Sequence, residues 1–258
     1  MLILLSPAKS LDYESKLATR KHSEPRLLDR SLELIEVMRT KTVREVADMM
    51  EISDELAELN VRRYADFELP FTRKTARAAV LAFDGDVYHG MDAKRSFDER
   101  DFTEAQKTVR VLSGLYGVLR PLDWVMPYRL EMGTRLATER GANLYDFWGD
   151  RLAKALNKAA KGHADRTLVN LASQEYFGAV DAQALKLPLV TCHFKQEQDG
   201  LVRNISFYAK TARGLMTRYA VENRLEDAQA LKGFDAAGYR FRPDLSDTRD
   251  WVFLRPHP

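Results

Sequence analysis

The chain has 258 residues, 45% hydrophobic and 30% charged, a composition suited to one large or two small globular domains. Forty Lys and Arg against 38 Asp and Glu leave a net charge of +2, too small to argue for a polyanionic partner by itself. No apolar run reaches the roughly 18 residues of a membrane span. The apolar start Met1–Leu5 is too short for a signal peptide, and the lone Cys192 excludes an intrachain disulfide, so a cytoplasmic, membrane-free protein is expected.

In chain order, Leu2–Leu5 reads as a buried strand closed by Ser6-Pro7. A helix is expected from Leu27 to Arg39, with Leu28, Leu32, Ile35 and Met38 near one face. Thr42 and Glu45 fit a capping box opening a short helix to Met50, and Ser53 caps a further helix through Tyr64. Helices are predicted at 73–82, 103–113 and 144–161. Strands are predicted at 167–171, 189–194 and 202–208, the last two joined as a hairpin at Asp199-Gly200. A two-faced helix follows from Lys210 to Arg224, and short strands near 239–242 and 251–254 complete the sheet. Without a repeat, a linker or a regular βαβ rhythm, a single α+β domain spanning 1–258 is expected.

Acidic residues are unevenly spread. None lies between Glu68 and Asp84, between Glu104 and Asp123, or between Asp199 and Glu222, while each window carries Lys or Arg. Three such windows on one surface would make a phosphate-binding cleft. The segment Leu112–Gly133 (LSGLYGVLRPLDWVMPYRLEMG) combines Gly114 and Gly117 with Pro121, Arg120 and Arg129, a tight turn that can present amides and guanidinium groups to an anion. The helix from Lys210 adds Arg213 and Arg218 without an acid on its first three turns, although an ordinary solvated helix face explains the same pattern.

Other residues could carry chemistry. Lys9 follows the first strand and could bind phosphate or serve as an amine nucleophile. Ser173 and Glu175 follow the strand at 167–171. Asp84, Asp86 and His89 stand close enough in sequence for a metal site, but turns around a short buried element fit FDGDVYHG better. The remaining histidines show no ligand spacing, so no metal or cofactor is expected.

SPAK at Ser6–Lys9, FDGDVYHG at Phe83–Gly90, LSGLYGVLRPLD at Leu112–Asp123, PYRLEMG at Pro127–Gly133, LYDFWG at Leu144–Gly149, NLASQEYF at Asn170–Phe177 and ISFYAKTARGLM at Ile205–Met216 together resemble the bacterial YaaA family of peroxide stress proteins. The resemblance runs from Met1 to about Phe241, leaving 242–258 as a variable tail. It implies a cytoplasmic protein of the oxidative stress response that limits damage from peroxide and loose iron. It also implies one domain of unusual topology, with a positively charged cleft and a helix-hairpin-helix element that bind duplex or branched DNA. Leu112–Gly117 and the Met50–Asp54 junction are the candidates for that hairpin.

Two functions follow. In the first, a non-enzymatic DNA-binding protein, Arg120, Arg129, Lys210, Arg213 and Arg218 contact phosphates while Gly114 and Gly117 shape the backbone. In the second, an enzyme acts on a nucleobase, nucleotide or damaged DNA. Lys9 is then its amine or phosphate ligand, Glu131 or Asp86 its acid/base, and Ser173 or Tyr208 orients the substrate. A deep pocket holding Lys9 beside a carboxylate would favour the second.

Overall fold

A computed structural model describes residues 1–198 and 200–256. Its strands are β1 (Leu2–Leu5), β2 (Arg77–Ala78), β3 (Val109–Ser113), β4 (Gly117–Leu119), β5 (Trp124–Val125), β6 (Leu168–Asn170), β7 (Leu189–Gln198), β8 (Leu201–Arg203), β9 (Arg240–Phe241) and β10 (Asp250–Pro256). Strands β2 and β5 form a small antiparallel ladder. The others build one sheet in the order β4-β3-β1-β6-β7-β10-β9, with β8 paired to the end of β7.

Five of these strands, β3, β1, β6, β7 and β10, run parallel. That corrects the α+β expectation: the domain is mixed α/β with a mostly parallel sheet. The irregular rhythm of the sequence has a simple cause. The crossovers differ in length and carry several short helices rather than one long one each. All residues of β1, β3 and β6 are buried, as strands covered on both faces must be, which is why LILL of β1 reads as a continuous apolar run.

In chain order the five parallel strands sit in the sheet as 2-1-3-4-5. From β1 the chain crosses to β3 on one side, then returns past β1 to β6 on the other. Right-handed crossovers in opposite directions put their helices on opposite faces, opening a crevice beyond the carboxyl ends of β1 and β6.

The long helix Leu28–Arg39, the capping box of Val43–Met50 and the Ser53 cap of Asp54–Ala65 follow the sequence pattern. Elsewhere, tertiary burial overrides local propensity. Helix Glu99–Thr108 ends before Val109, and the apolar Val109–Ser113 becomes β3 rather than a last helical turn. Within 73–82 only Ala79–Ala82 is helical. Gly149, at φ 48°, divides 144–161 into helices Leu144–Trp148 and Arg151–Ala159. After β8 the chain turns directly into helix Ser206–Glu222, so Ser206–Tyr208 is its first turn and not a strand end. Asp199 of the expected hairpin turn lies outside the described residues, as do His257 and Pro258 of the expected tail. The rest of that tail includes β10, whose Trp251, Val252, Phe253 and Leu254 are buried between β7 and β9.

Leu112–Gly117 forms the buried corner between β3 and β4, with a strand on each side instead of two helices. Gly117 there has φ 69°, and a Cβ would stand 2.8 Å from the Trp148 ring, so only glycine fits.

Candidate functional site

The crevice beyond β1 and β6 is a cavity of about 550 Å³ built from five distant segments. Ser6–Ser10 enters it from β1, and Ser173, Glu175 and Tyr176 from the loop and short helix after β6. The two loops are tied together: the Ser173 amide donates to Ser6 Oγ (2.8 Å), and the two hydroxyl oxygens are 3.3 Å apart. Tyr88, whose buried hydroxyl donates to the Ser6 carbonyl at 3.0 Å, fixes the same turn from a third direction. Burial drives the Tyr88 and Tyr176 pKa values upward, so both phenols stay neutral walls and donors.

The opposite wall is a helix crossing. Helix Asp86–Met91 packs on helix Ser206–Glu222 through Gly90 and Gly214. A Cβ on Gly214 would lie 1.9 Å from the Val87 carbonyl oxygen, and one on Gly90 2.2 Å from that of Thr211. This contact of backbones sets Asp86 and His89 beside Lys210 and Arg213 on the cavity lining. Asp86 is 3.9 Å from Lys210 Nζ. Asp84 pairs with His89 at 3.0 Å and Lys94 at 3.6 Å, so the sequence trio Asp84, Asp86 and His89 splits between different partners. Among the described residues no three His, Cys, Asp or Glu side chains gather as metal ligands.

The segment that carries Glu131 reaches the cavity because of Gly114. A Cβ at Gly114 would meet the Leu130 carbonyl oxygen at 2.3 Å, so the glycine lets strand end and segment touch. The Tyr64 hydroxyl donates to the Arg129 carbonyl, and Trp148 Nε1 donates to the Gly114 carbonyl at 3.0 Å. Glu131 is then held on both oxygens. Arg129 donates to Oε1 (3.0 Å), and Lys9 Nζ stands 2.6 Å from Oε2, its own side chain 64% exposed at the rim. Glu175 accepts from the Gly133 amide at 2.9 Å.

Lys9, Asp86, Glu131, Ser173, Lys210 and Arg213 therefore share one cavity. Arg129 stands behind Glu131. Tyr208 lies elsewhere, with the Arg255 guanidinium 4.6 Å from its ring centre, and Arg218 pairs with Glu222 at 2.7 Å along its own helix. The helix from Ser206 is not simply two-faced either: the polar Thr217 is buried along with Ala212, Met216 and Ala220. Sequence reasoning missed Gly90 and Gly214 as the hinge of the wall. The signal was present as a small-residue stretch, Ala209, Ala212 and Gly214, on a helix otherwise rich in large side chains.

Arg120 lies at the other end of β1. A groove of about 530 Å³ there is lined by Met1, Arg26, Lys107, Arg110, Arg120 and His163, with Glu104 and Glu226. Arg110 donates to the carbonyls of Gln106 (3.0 Å) and Val109 (2.6 Å) at the end of helix Glu99–Thr108. Burial, then the charges of Arg26 and Arg120, push its pKa down to about 10. Arg120 holds Asp123, a fully buried carboxylate, at 2.7 Å. Arg77 of the first acid-free window is buried against Asp12 and lines neither cavity. Neither cavity is lined by basic residues of all three windows.

The strand order and switch-point crevice define an α/β protein of the doubly wound class with a polar, ligand-sized site. The chain belongs to the peroxide stress protein YaaA family, whose model matches residues 1–245. Relatives named UPF0246 protein are 55% identical in Caulobacter vibrioides, over the whole of both chains, and 55% in Phenylobacterium zucineum, over all of this chain and 96% of the relative. One from Ralstonia pickettii is 53% identical over 99% of each. No helix among the described residues is long and apolar enough to cross a membrane.

Proposed function

We propose that this peroxide stress protein works through the switch-point crevice, as a cytoplasmic enzyme acting on a nucleobase, nucleotide or damaged DNA. The observation that carries the reading is Lys9 Nζ at 2.6 Å from Glu131 inside a cavity of about 550 Å³. That contact lets a proton pass between amine and carboxylate, while Arg129 keeps Glu131 in place. The lining mixes Lys9, Lys210 and Arg213 with Asp84, Asp86, Glu131 and Glu175. A groove for phosphates alone has no use for four carboxylates. A ligand with both N–H donors and an acidic group uses both kinds of charge.

The experiment is borohydride trapping on DNA with an abasic site. The Lys9 amine adds to the C1′ aldehyde, Glu131 takes up and returns the proton, water leaves, and borohydride reduces the imine to a stable amine. A covalent adduct in the parent that disappears in Lys9→Met and falls sharply in Glu131→Gln is expected. Equal trapping in Lys9→Met would remove Lys9 from the chemistry.

A second reading, binding of duplex or branched DNA through phosphate contacts, is favoured by the groove at the amino end of β1. Its four side-chain cations, Arg26, Lys107, Arg110 and Arg120, face two carboxylates. By binding there the protein would shield DNA from peroxide- and iron-dependent damage. A hairpin at Met50–Asp54, the junction that does join two helices, would present Glu51, Asp54 and Glu55 to the backbone, so the groove is the better phosphate surface. Binding through it must weaken steeply with salt, by about 0.9 log units per log unit of salt for each phosphate neutralised. A flat salt dependence would sink this reading.

A further inference from the structure

Every carboxylate on the crevice lining is already engaged: Asp84 by His89 and Lys94, Asp86 by Lys210, Glu131 by Lys9 and Arg129, Glu175 by the Gly133 amide. One cation is left over. The Arg213 side chain makes no hydrogen bond or ion pair among the described residues, and its Nε is buried without a partner. Burial holds its pKa below the usual guanidinium value. The titratable group whose charge would act on it is Cys192, and burial keeps that thiol neutral. The backbone that carries Arg213 is fixed at the helix crossing. The adjacent Gly214 is locked against the Val87 backbone, and the Arg213 carbonyl accepts from Thr217 at 2.9 Å.

A guanidinium whose Nε is shut off from water with no acceptor or counter-charge is costly to keep. Arginine is also the side chain whose planar fork matches a carboxylate or phosphate with two parallel hydrogen bonds. We propose that Arg213 is the anchor for an acidic group, phosphate or carboxylate, on the small molecule that fills the crevice. The rest of that molecule runs toward Lys9 and Glu131 at the rim. This deepens the reading of the crevice as a nucleotide site: it divides the cavity into an acid-binding end on helix Ser206–Glu222 and a reacting end on the loop after β1.

The test compares guanosine, guanosine monophosphate and inorganic phosphate by titration calorimetry on the full chain, with Arg213→Met and Arg213→Lys beside the parent. Guanosine monophosphate is expected to bind the parent at least about tenfold tighter than guanosine, the ratio a charge-assisted bidentate contact supplies. Arg213→Met should erase that preference and Arg213→Lys keep part of it. Arg213→Met also removes a half-buried charge whose Nε has no partner, so it is expected to melt no lower than the parent, and its lost binding is not lost folding. Equal affinity for nucleoside and nucleotide in the parent, or an undiminished preference in a folded Arg213→Met, overturns the anchor. If phosphate binds the parent but not Arg213→Met, and the nucleotide binds no better than phosphate, the anchor stands and the nucleotide reading falls.

Discussion

At the carboxyl end of β1 each carboxylate of the crevice lies against a cation or an amide, whereas at the amino end three guanidinium groups gather near the one buried carboxylate of Asp123. The same strand thus ends in two sites of different logic. The crevice has matched internal pairs that a ligand must exchange with, plus one unmatched arginine, which suits a small molecule with its own donors and acid. The groove has surplus positive charge, part of it on exposed side chains such as Arg26, which suits a repeated phosphate backbone. A protein that only coated DNA would have no need of the first, and an enzyme on free nucleotides no need of the second.

The sharpest way to break the comparison is to collapse one site without touching the other. Gly214→Ala ought to favour a helix by up to about 1 kcal/mol on propensity alone. Here the added methyl would meet the Val87 carbonyl oxygen at 1.9 Å, so the sign reverses and a loss of roughly 3 kcal/mol is expected. Urea denaturation measures it. A stability equal to the parent would mean that the two helices can separate cheaply, and the crevice would then be a poor scaffold for chemistry.

Arg120→Ala comes next. Its guanidinium satisfies Asp123, which also receives the Arg120 amide at 2.8 Å and the Ser23 hydroxyl at 2.7 Å. Leaving that carboxylate buried without its charge partner is expected to cost about 3 kcal/mol in the same assay. Arg120 therefore belongs to the architecture of the groove. A DNA-binding defect in Arg120→Ala would report loss of the turn as much as loss of a phosphate contact.

Those two residues also show what could be read from the chain alone. Capped helices such as Val43–Met50 and the buried run of β1 were legible, because caps and apolar patterning are local. That Lys9, Glu131 and Ser173 deserved attention was legible too, from polar residues at strand ends in apolar motifs. What was not legible depends on sheet order. Nothing local tells that β6 pairs with β1 on the side opposite β3, yet this alone brings Ser173 to Ser6 and sends Arg120 away from Lys210. Whether the basic windows share one surface was not legible, because charge along a sequence carries no information about which end of a strand it will occupy. Gly114 and Gly117 looked like a phosphate-binding hairpin, whereas their missing side chains make room for Leu130 and Trp148.

A smaller effect separates the two sites in solution. Arg26 is exposed and lines the groove, so Arg26→Ala should leave folding intact and lower the salt slope of DNA binding by about 0.9. Arg213→Met, in the crevice, should leave that slope unchanged. If both variants flatten the slope equally, DNA reaches both ends of β1 and the division between the sites is wrong.

The smallest expected effect is a titration. His163 lines the groove, and burial, then the nearby amino terminus and Arg110, hold its pKa below the usual histidine value. The unfolded chain therefore takes up this proton first. His163 contributes stability above the unfolded pKa of about 6.5 that is lost as pH falls toward the folded value. An anion in the groove would offset Arg110 and the amino terminus and so return the His163 pKa upward. Following the ring by NMR with and without a short DNA duplex tests this directly. A rise on adding DNA places phosphates in the groove, and a His163 titration unmoved by saturating DNA would mean that phosphates bind elsewhere and that the cluster around Arg110 serves another purpose.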